Sequence, residues 1–200
     1  MNDKVLEPLK NRHSVYALGR HVSLSDQELG QLIEDAFVLA PTAFNNQATR
    51  AVILLGEQHV KLWDLTEASL RTVAVSPEAF AKTQAKLDSF RQAYGTVLYF
   101  IDTNIVHQNE TDFPLYAANF HDWAEQGLGG AQLCVWTALS ANGLGASLQH
   151  YNPLIDAAVA ETYDLPAGWQ LRGQMPFGSV EAQPEAKPML PASEKVRVLK

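Results

Sequence analysis

Residues 25-SDQELGQLIEDAFVLAPTAFNNQATRAVILL-55 pass from a helical pattern to a polar turn to an apolar run without a break, and their reading decides the fold. Ser25 and Glu28 stand as a capping-box pair, and Leu29, Leu32, Ile33, Ala36, Phe37 and Ala40 keep helical spacing until Pro41 stops it. Residues 50–55 then read as a strand that is apolar on both faces, and so as a strand central in its sheet. Between them lie three consecutive carboxamides, Asn45, Asn46 and Gln47. Their paired donors and acceptors suit either the capping of a chain reversal or the holding of a flat polar ligand.

Outward from this unit the pattern keeps alternating. Helices are expected over 57–70 and from Ser76-Pro77 onward, the second carrying Phe80, Ala81, Leu87 and Phe90 and ending at Gly95. Residues 97–101 make a second buried strand, and the polar stretch 102-DTNIVHQNETDFP-114 is expected to be a flap over a site. A long apolar helical pattern covers 116–142, with Gly127, Gly129 and Gly130 in its middle. Each glycine there costs about 1 kcal/mol, which calls for another helix or a ligand pressing close. Asn142-Gly143 ends that helix, a further helix is expected over 153–163, and residues 170–177 read as one more strand. The proline-broken tail ends in 195-KVRVL-199, which alternates as an edge strand does and could pair with another subunit or with its own sheet.

Composition narrows the function. A chain of 200 residues with 46% hydrophobic content suits a single domain over 1–200. A net charge of −7 with acids and bases interspersed argues against a nucleic-acid partner. No run approaches the roughly 18 apolar residues of a membrane span, and the N-terminus has no secretory pattern, so a cytoplasmic protein is expected. Cys134 reads as a small core residue, and the histidines at 13, 21, 59, 107, 121 and 150 show no i, i+4 pairing, so no metal site is expected. Hydrolase, P-loop and dinucleotide fingerprints are all missing, which points to a bound organic cofactor.

Three stretches bear on that cofactor. In 11-NRHSVYAL-18 the guanidinium of Arg12 and the hydroxyl of Ser14 suit a phosphate, although Arg12 taken alone reads more readily as a solvated surface residue. The second is 41-PTAFNNQ-47, and the third is 142-NGLGASLQHYNP-153, where a glycine-rich turn leads to Gln149 and His150.

In this order and spacing the three resemble the FMN-dependent nitroreductase family. Arg12-His13-Ser14 is similar to its opening motif, residues 41–47 to its P-S-x-x-N-x-Q turn, and Gly143-Leu144-Gly145 to its later G-L-G turn. The resemblance spans nearly the whole chain. Residues 148-LQHYNPLID-156 and 174-QMPFG-178 look like a short branch that includes fungal fatty-acid-response proteins and bacterial stress-induced nitroreductases.

The resemblance implies an α+β fold with a central mixed sheet surrounded by helices. It also implies a homodimer with FMN at the subunit interface, NADH or NADPH as donor, and a C-terminal extension that pairs with the partner subunit. Carried over by position, Arg12 and Ser14 would hold the FMN phosphate and ribityl chain, with His13 beside them. Lys187 would be either a second charge on the phosphate or an ordinary exposed lysine. Asn45 and Gln47 would bond polar atoms of the flavin held mainly by the other subunit. Tyr16 stands where many relatives have a second basic residue near the flavin, and Ala48-Thr49 stands where they have Pro-Trp. Gln149 and His150 would lie at the flavin face, pointing at substrate or away from it, with His150 as a candidate proton donor. Phe44, Phe120 and Trp123 are either walls for a flat acceptor or core residues.

The implied activity is ping-pong reduction of nitroaromatic or quinone-like acceptors. The alternatives are a flavin- or lipid-binding regulatory protein with incidental redox activity, and a different reaction on the same fold.

Overall fold

The computed structural model describes residues 4–200. Its sheet runs in the order β1 (Leu18–Gly19), β5 (Trp169–Val180), β3 (Gly95–Asp102), β2 (Thr49–Leu55), and β4 (Leu144–Ala146) also pairs with β5. All these ladders are antiparallel, and a parallel bridge from Ser14 to Ala146 makes the sheet mixed.

Helices cover both faces. On one side α2 (Asp26–Val38) and α6 (Phe120–Ala141) contribute Leu29, Ile33, Ala124, Leu128 and Val135 to a core with Val97, Tyr99 and Ile101 of β3. On the other, α3 (Gly56–Thr72), α4 (Pro77–Arg91) and α7 (Asp156–Thr162) bring Leu62, Trp63, Leu87, Phe90 and Val159 against Leu98 and Phe100. The alternation of β3 thus feeds two cores, and each large apolar side chain buried this way contributes about 1.5–3 kcal/mol. The helix α2 begins with the expected capping box: Ser25 N donates to Glu28 Oε2 at 2.8 Å, and Glu28 N donates to Ser25 Oγ at 3.3 Å.

Three expectations are corrected. The strand expected to be central, β2, pairs among the described residues only with β3 and lies at the end of the sheet. Its two apolar faces report the helices above and below it, which says nothing about its edges: Ala51 and Ile53 pack into one core and Val52 and Leu54 into the other. The stretch expected as a flap is a helix, α5 (Thr103–Asp112), whose N-terminus Asp102 caps by accepting from Asn104 N at 3.2 Å. It is anchored by Val106 in the core, and its other positions are mostly polar, which hid the helical period.

Gly95 opens β3 instead of closing α4. A Cβ there would lie 2.6 Å from Leu55 Cδ2 and 2.7 Å from Phe177 Cζ.

Of the three helix glycines, only Gly127 meets close packing, against Thr42 Cγ2, while Gly129 and Gly130 meet nothing within 4 Å. The long helix starts at Phe120, after a 3-10 segment Pro114–Asn119. Two short helices complete the chain, α1 (Leu6–Asn11) and α8 (Ala192–Lys195). Beyond α8, Val196, Val198 and Leu199 are exposed and pair with no strand among the described residues.

Candidate functional site

The turn after α2 is conformationally costly. Phe44, Asn45 and Gln47 take φ values of 54°, 50° and 50°, left-handed backbone that L-residues adopt at roughly 1–2 kcal/mol each. Short contacts hold it: Gln47 N donates to Thr42 Oγ1 at 3.0 Å, Ala48 N to Asn46 Oδ1 at 3.1 Å, and Arg50 Nη1 to Gln47 O at 2.6 Å. Arg50 is itself fixed by Asp102 at 3.1 Å. Asn46 therefore closes the turn, while the side chains of Asn45 and Gln47 remain exposed.

The same turn sends Phe44 into an aromatic basket. Its ring stacks on Trp123 at 5.7 Å and 19°, and lies 5.0 Å from Phe113, 5.4 Å from Phe120 and 5.8 Å from Tyr116. Phe120 is fully buried and forms the floor, whereas Phe44 is 52% exposed. Phe113 and Tyr116, absent from the sequence reading, complete the basket from the segment that leads into α6.

A second group gathers where the N-terminal segment meets β4. Val15 N donates to Ala146 O at 2.9 Å, next to the Ser14 bridge. Along this extended chain side chains alternate, so Arg12 and Ser14 share one side and His13 takes the other. His13 lines a polar cavity of about 400 Å³ with Val15, Ser140, Gly143 and Gln183. Arg12 lies with its guanidinium carbon 4.5 Å from the Trp136 ring centroid, and its Nε is buried with no partner. Tyr16 is 46% exposed, and Lys187 is exposed on the tail.

The chain after β4 is tightly bonded. The buried Gln174 of β5 accepts from Tyr151 N at 2.9 Å through Oε1 and donates to Asn152 Oδ1 at 3.1 Å through Nε2. Asn152 Nδ2 in turn donates to Asp156 Oδ1 at 2.8 Å and to Leu171 O at 2.9 Å. Burial pushes the Tyr151 hydroxyl up to about 12, so it stays protonated at neutral pH. Burial also raises the Asp156 carboxyl, against the bond from Asn152. Gln149 faces inward, donating to Ser147 Oγ at 3.0 Å, and His150 is exposed.

The structure therefore brings Ser14 to Ala146, at the start of the chain that leads to Gln149 and His150, Arg12 to Trp136, and Phe44 to Phe120 and Trp123. No hydrogen bond, ion pair or ring contact joins these two groups among the described residues. They sit at different levels of α6: Gly127 packs on Thr42 and Trp136 on Arg12, about 14 Å apart at 1.5 Å per residue. Sequence reasoning missed Arg50 and Gln174: Arg50 ties the turn carbonyls of Gln47 and Thr49 to the distant Asp102, and Gln174 bonds the Tyr151 amide 23 residues away. No described group of His, Cys, Asp and Glu could hold a metal, and no described helix is long and apolar enough to cross a membrane.

Comparison with known proteins gives consistent matches. The sequence model of the Nitroreductase family matches residues 9–179. The nitroreductase FRM2 of Saccharomyces cerevisiae is 35% identical over 187 residues, which is 91% of each chain. Nitroreductase CinD of Lactococcus lactis, in complex with chloramphenicol, is 43% identical with a TM-score of 0.90, over 98% of this chain and 100% of that one. Its complex with 4-nitrophenol gives 45% identity and a TM-score of 0.86, with the same shares covered. A nitroreductase of Desulfitobacterium hafniense with bound FMN shares the fold at 17% identity, with a TM-score of 0.71 and 100% of both chains covered.

Proposed function

The chain belongs to the nitroreductase family, and on that premise we propose that it is a cytoplasmic, homodimeric, FMN-dependent oxidoreductase. It takes hydride from NADH or NADPH and passes it to a nitroaromatic or quinone-like acceptor in a ping-pong cycle. FMN supplies the hydride-accepting and hydride-donating ring, and the protein supplies binding, orientation and exclusion of water.

The observation that carries this reading is Arg12. Its guanidinium is half-buried, donates no hydrogen bond among the described residues and has an orphaned Nε, beside a serine on a backbone locked to β4. Such a group suits a phosphate, because its terminal Nη donors are unbonded and free of the buried Nε, and a phosphate can accept charge-assisted bonds from them.

Arg12 and Ser14 hold the phosphate and ribityl chain, and Lys187 adds a second charge. His13, which lines the neighbouring polar cavity, contributes backbone or ring contacts. Tyr16 lies beside the flavin without the charge that a basic residue would bring. Gln149 presents backbone to the flavin face, its side chain being held by Ser147. His150, the exposed neighbour, is the residue able to deliver a proton to a bound acceptor.

Asn45 and Gln47 reach the flavin of the other subunit, which accounts for two half-sites about 14 Å apart along α6. Trp123, Phe44, Phe113 and Tyr116 offer a flat acceptor stacking surfaces, with Phe120 behind them. The CinD complexes with chloramphenicol and 4-nitrophenol support that acceptor class. Two surfaces suit the dimer. An apolar groove of about 420 Å³ runs between Val5, Leu9, Leu39 and Leu133. The outer edge of β2 is open and can take residues 196–199 of the partner as a strand.

The test is a visible spectrum of the purified protein, supplied with FMN and then given NADH or NADPH without oxygen. Flavin bands that bleach and recover on adding a nitroaromatic support the enzyme. Bands that do not bleach leave a flavin-binding protein, and no retained flavin removes the reading altogether.

A further inference from the structure

Several arginines of this chain are held by carboxylates, and Arg50 and Arg71 lie over an aromatic ring as well. Arg91 is bound by Asp64, Glu67 and Asp88, and Arg50 by Asp102 and the carbonyls of Gln47 and Thr49. Arg12 has no carboxylate: its one side-chain partner among the described residues is the Trp136 ring, 4.5 Å from the guanidinium carbon to the centroid. The indole Nε1 of Trp136 is buried without a partner as well.

The local backbone alone leaves Arg12 loose. It caps α1, a six-residue helix with no buried residue, well below the length at which a helix holds its shape unaided. An ion pair would fix the side chain but would take its N–H groups and cancel its charge. An aromatic face attracts the cation through its quadrupole and leaves the in-plane N–H donors available.

We propose that Trp136 is a positioning residue that holds Arg12 with its charge and donors available to a phosphate, and so makes the site selective for FMN over riboflavin. This rests on the reading of Arg12 as a phosphate ligand given above. The two flavins share the ring and ribityl chain and differ in the phosphate, so a residue acting through Arg12 shifts one affinity and spares the other.

The experiment is titration of apoprotein with FMN and with riboflavin, followed by flavin fluorescence, in the wild type, W136L, W136F, R12A and the double variant. W136L is expected to weaken FMN about fivefold while riboflavin stays within about twofold, and W136F to recover most of the loss. In the R12A background, W136L should change nothing further. The backbone bridge from Ser14 to Ala146 is retained in W136L, so the segment keeps its place, and circular dichroism of each variant checks the fold.

Equal weakening of both flavins, an unchanged FMN affinity in W136L, or W136F as weak as W136L would each overturn the role of Trp136 while leaving FMN binding intact. A wild type that binds no FMN, or prefers it in no way to riboflavin, would instead overturn the reading of Arg12 and the inference with it.

Discussion

The turn at residues 41–47 and the loop at residues 147–152 both carry polar side chains to the candidate site, and they do so by opposite means. In the loop the amides are mutually bonded: Gln174, fully buried, serves Tyr151 and Asn152, and Gln149 bonds Ser147. In the turn three non-glycine residues sit in left-handed backbone, with Asn45 and Gln47 pointing outward. One region is a bonded floor, and the other is a strained arm kept in place by Thr42, Asn46 and Arg50. Strain of that kind persists where the surroundings over-determine it and where an exposed side chain has a use.

The largest effect should come from the floor. Gln174→Leu leaves the Tyr151 backbone N–H and the Asn152 side-chain Oδ1 without partners, and it should cost about 3 kcal/mol of stability, read from the urea midpoint. A loss below about 0.5 kcal/mol, within the range of ordinary surface substitutions, would show that the floor is not held by this amide.

Acid should separate the regions next. Tyr151 packs edge-on against Trp63 at 5.9 Å, Trp63 Nε1 donates to Thr96 Oγ1 at 3.1 Å, and the buried His59 shares that oxygen at 2.9 Å. Burial lowers the His59 ring from 6.5 to about 4. The unfolded chain therefore binds a proton first, and stability that is full above pH 6.5 falls as pH drops toward 4, by about 3 kcal/mol. His59→Asn should flatten that slope. Glu67 acts in a lower window: the bond from Gln84, followed by those from Arg91 and Arg71, takes its carboxyl to about 2, so its contribution is lost only from pH 4.5 downward. A slope between pH 6.5 and 4 that survives in His59→Asn would assign it elsewhere.

The smallest effect has the opposite sign. Gln47→Gly removes a left-handed glutamine and should raise stability by about 1 kcal/mol while weakening FMN binding. Unchanged FMN affinity would leave the turn strained without a functional reason.

Much of this was legible in the chain. The capping box of Ser25 and Glu28, the apolar period of α2 and the continuous apolar run of β3 are local signals, and local geometry obeys them. The position of β2 in the sheet was not, because side chains report which faces are covered and carry no mark of which edge is paired. Helix α5 was hidden because its anchorage to the core rests on few residues, chiefly Val106.

At the site, Arg12, Ser14 and the amide turn stood out by residue type. Phe113 and Tyr116 did not, since an aromatic residue in a polar stretch gains meaning only when Phe44 folds against it. Gln174 reads as one more residue of a strand until the loop it bonds is seen.

The central claim is a site shared between subunits, and subunit complementation tests it most directly. R12A and Q47A chains are co-expressed, the mixed dimer is isolated with two tags, and activity is read at an FMN concentration too low to load either homodimer. If Arg12 and Gln47 of one site come from different subunits, the mixed dimer holds one intact site and recovers about half of the wild-type activity. A mixed dimer as inactive as its parents would place both residues in one subunit and contradict the shared site.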